Sequence, residues 1–219
     1  DGSLEPYHLD ESSSWNCSTA ALSEALASAR AKGVSIRALV VINPGNPTGQ
    51  VMEEASMREI VSFCAKEGIL LMADEVYQEN VYAAGKQFHS FREVVLDMGA
   101  PYASEVQLMS FHTTSKGIHG ECGRRGGYVQ TTNFPADCLE QFTKLPSIQL
   151  CPNLGGQIMV DLMLNPPQPG DASYAQYQAE YDAQFASLKQ RAKALAEQLN
   201  EIPGFECNEV EGAMYAFPT

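Results

Sequence analysis

The chain has 219 residues, of which 44% are hydrophobic and 19% are charged, so it is long enough to bury a core of its own. Asp and Glu number 27 against 14 Lys and Arg, and no run of basic residues interrupts this acidic background. The charge balance excludes nucleic acid and anionic membrane surfaces as expected partners. No apolar stretch approaches the length of a transmembrane helix, so we expect no membrane-embedded segment.

The six cysteines are scattered through the sequence without a Cys-x-x-Cys pair. Two of them lie in patterns typical of helices, which favours free thiols in a reducing compartment over a disulfide framework. His112, His119 and Cys122 are neighbours in the sequence, but their spacing matches no common zinc motif, and we predict no metal site. The polar start resembles neither a signal nor a transit peptide and lacks Met, so we expect a fragment whose targeting segment is not visible.

Helical patterns and apolar strand patterns alternate through the first part of the sequence. Such alternation is typical of an α/β fold, because right-handed crossovers place helices on both faces of a mainly parallel sheet. The stretch from residue 82 to 101 is mixed. In chain order, the predicted elements are a helix over 21–29, a strand over 38–42, a helix over 57–64, a strand over 69–73, a short helix over 91–98, and strands over 106–111 and 127–130.

The second part of the sequence contains two helical patterns and a strong break. A helix is predicted over 154–164, and the Pro-rich and Gly-containing segment 165–171 ends it. A long helix over 174–199 follows, and its length suits a connection between two domains. We expect 205–210 and 213–217 to be the first strands of a second domain. The predicted division is therefore 1–170 for part of the large domain and 171–219 for the long helix and the start of a small domain.

Polar clusters follow three of the predicted strands. They are Asn43-Pro44-Gly45-Asn46-Pro47-Thr48-Gly49 after the first strand, Asp74-Glu75-Val76-Tyr77 after the second, and His112-Thr113-Thr114-Ser115-Lys116-Gly117 after the third. In an open α/β sheet the carboxyl ends of the strands line one crevice, so we expect these clusters to meet. An amine, a carboxylate, a phenol and an amide are the groups that pyridoxal phosphate requires.

Each candidate residue has a role that this cofactor explains. Lys116 would hold its aldehyde as a Schiff base and shuttle a proton, and Asp74 would keep its ring nitrogen protonated. Tyr77 and Asn46 would contact the ring oxygen. Taken singly, the four are more ordinary as a surface lysine, a capping aspartate, a core aromatic and a turn residue.

The phosphate of the cofactor requires a cation and hydroxyl or amide donors. Thr113 and Ser115 supply hydroxyls, and Arg124 and Arg125 are two candidates for the guanidinium. Because adjacent side chains at the start of a strand point to opposite faces, we expect only one of the two arginines to reach the phosphate.

Together, these motifs resemble the class I and II aminotransferases of fold type I. The matching positions, spread over nearly the whole chain, are Asn46 in Asn-Pro-Thr-Gly, Asp74 and Tyr77 in Asp-x-x-Tyr, and Lys116 preceded by Thr113 and Ser115. The Gly-Tyr sequence after Arg125 selects this residue as the phosphate ligand, as in the alanine aminotransferase branch. The segment 211–218 is also similar to that branch.

The resemblance implies a three-layer αβα large domain around a mainly parallel sheet, incomplete here, and the beginning of a small α/β C-terminal domain. It implies pyridoxal 5'-phosphate as cofactor, amino acids and 2-oxo acids as substrates, and a homodimer for the full-length protein. An intracellular location follows, cytoplasmic or mitochondrial. The family's phosphate-binding glycine turn, its ring-stacking aromatic residue and its substrate-carboxylate arginine cannot be assigned in this sequence.

The activity that the resemblance implies is transfer of the amino group of alanine to 2-oxoglutarate, which gives pyruvate and glutamate through an aldimine at Lys116. Transamination between glutamate and glyoxylate is the alternative within the family, because the motifs mostly bind the shared cofactor. A different class of function also stays open: if the fragment is the whole product, it is a truncated scaffold without catalysis.

Overall fold

The computed structural model describes residues 2–219. The strands are β1 (Ala38–Ile42), β2 (Leu70–Asp74), β3 (Leu108–Thr113) and β4 (Gly127–Thr132). The helices are α1 (Thr19–Ala31), α2 (Glu54–Glu67), α3 (Phe91–Asp97), α4 (Tyr102–Glu105), α5 (Ala136–Ser147), α6 (Leu154–Leu164) and α7 (Tyr174–Asn200). Short 3-10 turns lie at Glu11–Ser13 and Cys122–Arg124. Within the described residues, none of the helices has both the length and the apolar character that crossing a membrane requires.

The four strands form one sheet in the order β1-β2-β3-β4. β1, β2 and β3 are parallel neighbours, with Val41 beside Ala73 and Ala73 beside Ser110. β4 runs antiparallel to β3 and places Tyr128 beside His112. The prediction of an α/β fold with a mainly parallel sheet is confirmed. The direction of β4 follows from the segment 114–126, which holds only a 3-10 turn and forms no helical crossover of the kind that a parallel return requires.

The first helices begin and end where local signals place them. The Ser18 hydroxyl accepts a hydrogen bond from the Ala21 N–H at the start of α1. At the end of α2, Gly68 adopts φ of 65°, a left-handed conformation that glycine reaches without steric cost. The predicted helices over 21–29 and 57–64 are thereby confirmed as α1 and α2.

One face of the sheet packs against α1, α2 and α3 and forms the main core. Side chains alternate between the faces of a strand, so every second residue of β1, β2 and β3 points into this core. The buried core residues of the strands are Leu39, Val41, Leu71, Ala73 and Leu108, and those of the helices include Leu22, Leu26, Met57, Ile60, Val61, Cys64, Phe91, Val94 and Val95. Burial of each large apolar side chain contributes roughly 1.5–3 kcal/mol.

The opposite face of the sheet is more open. Val40 lies on this face and is 53% exposed. A cleft of about 390 Å³ runs along the face and is lined by Val40, Met72, Phe111 and Tyr128, and it reaches Asp74 at the end of β2. The carboxyl ends of the strands therefore border an accessible cleft.

A second, smaller cluster forms where α7 meets the last residues of the chain. Its buried members are Tyr82, Ala196, Cys207 and Val210, and partly buried side chains of α7 pack around them. The predicted long helix over 174–199 is confirmed as α7.

The strands predicted over 205–210 and 213–217 are wrong. Both stretches lack regular secondary structure, and the region has one isolated bridge, between Val81 and Gly212. The backbone polar groups of the region bind separate partners and no neighbouring strand: Glu206 pairs with Thr219, whereas residues 211–213 bind loops of the first part of the chain. The Gly212 N–H donates to the Gly49 carbonyl at 2.8 Å, and the Ala213 N–H donates to the Asn80 carbonyl at 2.9 Å.

α5 has no counterpart among the predicted helices. Its apolar residues Phe142 and Leu145 are exposed, and Pro146 lies within its last turn. Proline disrupts the interior of a helix, so Pro146 argues against predicting a helix here from the sequence.

The short helix predicted over 91–98, in contrast, is confirmed as α3, which begins after the capping hydroxyl of Ser90.

Candidate functional site

The three polar clusters follow β1, β2 and β3 at the same edge of the sheet. The register pairs Ile42 with Asp74 and Asp74 with Phe111, so the Asp74 carboxylate occupies the middle of this edge. The loop 43–49 follows on one side, and the segment 114–126 follows on the other. The parallel direction of the strands is what brings residues so distant in sequence to one place.

The surroundings of the Asp74 carboxylate contain influences that disfavour its charged form and influences that favour it. Burial raises the pKa of Asp74, whereas the Val76 N–H at 3.4 Å and the charge of Lys116 act in the opposite direction. The Lys116 ammonium and the Asp74 carboxylate therefore lie within electrostatic reach of each other. A second cationic group beside Asp74 would further stabilise its ionised form.

Lys116 projects from a turn that several backbone hydrogen bonds hold. The Thr114 N–H donates to the Gly126 carbonyl at 3.1 Å, and the Glu121 N–H donates to the Thr114 carbonyl at 2.8 Å. Gly117 follows with φ of 71°, which disfavours any residue with a side chain at this position. The backbone of Lys116 is thereby held while its side chain stays exposed.

Thr113, Ser115 and Arg125 form a connected cluster beside the lysine turn. The Thr113 hydroxyl lies 3.1 Å from the Ser115 hydroxyl and donates to the Gly126 carbonyl at 2.7 Å. The Arg125 guanidinium lies 3.5 Å from the Ser115 hydroxyl and donates to the Cys122 carbonyl at 2.9 Å. Two hydroxyls and a guanidinium thus lie together, and the Ser115 hydroxyl and the N–H groups of Arg125 are donors that suit a phosphate, whereas the Thr113 proton is engaged by Gly126.

The two arginines are separated for a reason that differs from the predicted one. Both precede β4, which begins at Gly127, so alternation along a strand does not apply to them. Arg124 ends the 3-10 turn and lies 3.8 Å from the Glu121 carboxylate, whereas Arg125 has a left-handed φ of 55° that turns the chain toward β4. This reversal directs Arg125, and not Arg124, to Ser115.

Tyr77 is buried, and its hydroxyl meets a partner that the sequence analysis did not include in the site. The Tyr77 and Tyr215 hydroxyl oxygens are 2.6 Å apart, and the two rings pack edge to face with centroids at 5.7 Å. Burial, with a further contribution from Tyr215, raises the pKa of the Tyr77 phenol, which therefore stays protonated at neutral pH. Tyr215 lies in the segment 211–218, whose similarity to one branch of the family was the one signal available for it.

Asn46 is exposed in the loop after β1. Within residues 2–219, the hydrogen bonds of the structure do not join its side chain to Tyr77. Asn43 has the structural role in this loop, because its buried side chain accepts a hydrogen bond from the Met52 N–H at 3.0 Å. The structure therefore brings Lys116, Asp74 and the Thr113, Ser115 and Arg125 cluster to one edge, and leaves Asn46 accessible beside them.

Comparisons with known proteins show relatives of this chain in both sequence and fold. The sequence is 52% identical to mitochondrial alanine aminotransferase 2 of Arabidopsis thaliana over 99% of this chain and 40% of that protein. It is 49% identical to glutamate–glyoxylate aminotransferase 1 of the same plant over 99% of this chain and 45% of that protein. The structure of an alanine aminotransferase from Pyrococcus furiosus matches the fold with a TM-score of 0.76 and 24% identity, over 97% of this chain and 48% of that one.

The chain thus spans less than half the length of these relatives. The family model for aminotransferase class I and II matches residues 1–219, the whole of the sequence. This match and the identities near 50% place the fold and the sequence in one family. The chain belongs to the class I and II aminotransferases.

Proposed function

We propose that the protein is a pyridoxal-phosphate-dependent aminotransferase that transfers the amino group of alanine to 2-oxoglutarate and yields pyruvate and glutamate. The observation that carries the proposal is the convergence, at one edge of the sheet, of the Lys116 amine, the Asp74 carboxylate and the cluster of Thr113, Ser115 and Arg125. The name of the relative with 52% identity supports the choice of substrates.

The residues present fit this cofactor. Asp74 has a raised pKa because of burial, so a protonated ring nitrogen would be a favourable partner for it. The hydroxyls of Thr113 and Ser115 and the guanidinium of Arg125 match the oxygens of a phosphate. When bound, pyridoxal phosphate supplies an aldehyde that condenses with amines and a ring that withdraws electrons.

Each side chain then has a defined task. The Lys116 Nζ atom would be the amine that holds the cofactor and would serve as the proton carrier of the site. The Asp74 carboxylate would keep the ring nitrogen protonated, and the Tyr77 phenol would be a donor to the ring oxygen. The Asn46 amide acts at the same oxygen.

Arg125, together with Thr113 and Ser115, anchors the phosphate. We extend the proposal to the whole protein: an intracellular homodimer in which residues 1–170 are part of the large domain and residues 171–219 form an interdomain helix and the start of a small domain. The chain spans 40% of the length of its relative from Arabidopsis, so the substrate-carboxylate ligand and the dimer contacts belong to the proposal for the full-length protein.

A substitution of Lys116 tests the proposal directly. In the full-length protein, Lys116→Ala should abolish the shifted absorbance that distinguishes lysine-bound from free pyridoxal phosphate, and also the permanent mass increase after borohydride reduction. Lys144→Ala is the matched control, because Lys144 is an exposed lysine of α5 that pairs with Glu140. A spectrum and mass increase that persist unchanged in Lys116→Ala would refute the assignment.

Glutamate–glyoxylate transamination is the second candidate, and the 49% identity to an Arabidopsis enzyme of that name favours it. The residues assigned here act on the cofactor that both reactions share, so they do not separate the two activities. A comparison of pyruvate, 2-oxoglutarate and glyoxylate as acceptors, at matched donor concentrations, does so. A kcat/KM for glyoxylate at least tenfold above the other two would favour the second candidate.

A further inference from the structure

The segment 211–215 crosses the loop after β1 and the turn after β2 and is fastened to both. The Glu211 carboxylate accepts a hydrogen bond from the Val51 N–H at 2.7 Å, and the Gly212 N–H donates to the Gly49 carbonyl at 2.8 Å. The Ala213 N–H donates to the Asn80 carbonyl at 2.9 Å. Three hydrogen bonds within three residues fix the path of the chain immediately before Tyr215.

Two glycines allow these backbones to approach closely. A Cβ atom on Gly212 would lie 2.5 Å from the Asn80 carbonyl oxygen, and one on Gly49 would lie 2.8 Å from the Tyr215 carbonyl oxygen. Both distances are shorter than real side-chain contacts, so the approach requires glycine at each position. Backbone contacts therefore help to position Tyr215, in addition to the packing of its ring against Tyr77.

The hydroxyl of Tyr215 meets the hydroxyl of Tyr77 at 2.6 Å, and each of them has one proton. Only one phenol can donate within the pair. If Tyr77 donates to Tyr215, its proton is used there and cannot reach a ligand. If Tyr215 donates to Tyr77, the Tyr77 proton remains available to an acceptor in the cleft.

We propose that Tyr215 is a positioning residue: its hydroxyl donates to the Tyr77 oxygen, so that the Tyr77 proton is presented to the ring oxygen of the bound cofactor. This inference rests on the proposed function. It also gives the C-terminal segment a direct effect on the cofactor, because displacement of 211–215 would remove the donor to Tyr77.

The pH dependence of the cofactor's visible absorbance measures this effect. A donor at the ring oxygen stabilises the deprotonated form of the bound chromophore and lowers the midpoint of its pH titration. In the full-length protein, Tyr77→Phe should raise the midpoint by roughly one pH unit, the equivalent of one hydrogen bond. Tyr215→Phe keeps the edge-to-face ring contact and should raise the midpoint by a smaller amount. The double variant should match Tyr77→Phe alone.

Tyr7→Phe is the matched control. It removes one tyrosine hydroxyl that is hydrogen-bonded to the Val40 carbonyl at 2.9 Å, outside the pair of Tyr77 and Tyr215. Its midpoint should equal that of the wild type. If the Tyr215→Phe protein does not fold, 3-fluorotyrosine at position 215 tests the same claim: its hydroxyl is a stronger donor, and the midpoint should move downward.

The results of these experiments distinguish a failure of the role of Tyr215 from a failure of the proposed function. A normal wild-type spectrum with an unchanged midpoint in Tyr215→Phe overturns the role of Tyr215 and leaves the proposed function intact. Shifts that add in the double variant also overturn it, because additivity means that the hydroxyls act independently. A wild-type protein that binds no pyridoxal phosphate overturns the proposed function and this inference with it.

Discussion

At the scale of one residue, Asp74 shows that a residue of the candidate site can lower the stability of the folded protein. Its carboxylate is partly buried at the end of β2, and the pKa is raised mainly because burial disfavours the charged form. An acid with a raised pKa in the folded state destabilises that state as the pH rises above the pKa of the unfolded chain. At neutral pH, Asp74 therefore lowers the stability of the protein without cofactor.

Replacement of Asp74 should consequently have opposite effects on stability and binding. Asp74→Asn removes the charge and should raise the Tm of the cofactor-free protein at pH 7.5, by about 2–4 °C for each kcal/mol gained. The same variant should bind pyridoxal phosphate at least tenfold more weakly, because the ring nitrogen loses its carboxylate. Differential scanning calorimetry and a cofactor titration measure the two effects.

Asp97→Asn provides the control for that prediction. Asp97 is an exposed residue of α3, so its substitution should change neither the Tm by more than a degree or so nor the binding of cofactor. An Asp74→Asn protein that is less stable than the wild type without cofactor would contradict the assigned role of burial.

At the scale of elements, a buried carboxylate fastens α3 to the end of β2. Glu75 is 5% exposed and accepts a hydrogen bond from the Phe91 N–H at 2.7 Å, at the first residue of α3. Burial raises the pKa of Glu75 to about 7, and the charge of Asp74 adds to the increase, whereas the hydrogen bond from Phe91 opposes it. The first N–H groups of a helix have no partner within it, so this acceptor satisfies one of them.

The pH dependence of stability follows from this shift. The pKa of Glu75 is higher in the folded state, so its favourable contribution is complete below pH 4.5 and is lost as the pH rises through about 7. The Glu75→Gln variant should lack this part of the pH dependence of stability. Its free energy of unfolding, relative to that of the wild type, should therefore increase between pH 5 and 8. Glu75→Ala should cost about 1–3 kcal/mol, because the Phe91 N–H loses its acceptor.

Urea unfolding at a series of pH values measures both variants. Glu59→Gln serves as the control, since Glu59 is an exposed glutamate on α2 and its substitution should leave the pH profile unchanged. A Glu75→Gln profile parallel to that of the wild type would show that Glu75 does not titrate in this range.

At the scale of the whole molecule, two clusters of buried residues lie within the described residues 2–219. The larger one joins the sheet to α1, α2 and α3, and the smaller one joins α7 to residues near the end of the chain. Tyr82 belongs to the smaller cluster although it follows β2 in the sequence. The turn after β2 and the segment 211–215 therefore form contacts across the proposed domain boundary at residue 170.

The two clusters should respond separately to truncation of a buried side chain. Leu71→Ala in the central strand should destabilise the protein by about 2–5 kcal/mol and reduce amide protection throughout β1, β2 and β3. Val210→Ala should reduce protection in α7 and leave the sheet close to its wild-type values. Hydrogen exchange by mass spectrometry measures both, and equal loss of protection everywhere in the Val210→Ala protein would contradict two separable clusters.

The sequence by itself determined the alternation of helices and strands from α1 to β4, apart from the one-turn α4, and the position of Asp74 and Lys116 after strands, because these depend on local periodicity and caps. Only the tertiary structure decided the direction of β4, the separation of Arg125 from Arg124 and the absence of strands after residue 204. It also decided the meeting of Tyr77 with Tyr215, which are 138 residues apart. The pair of Tyr77 and Tyr215 and the backbone contacts of Gly212 and Ala213 depend on partners contributed by distant parts of the chain, and local sequence patterns do not specify such partners.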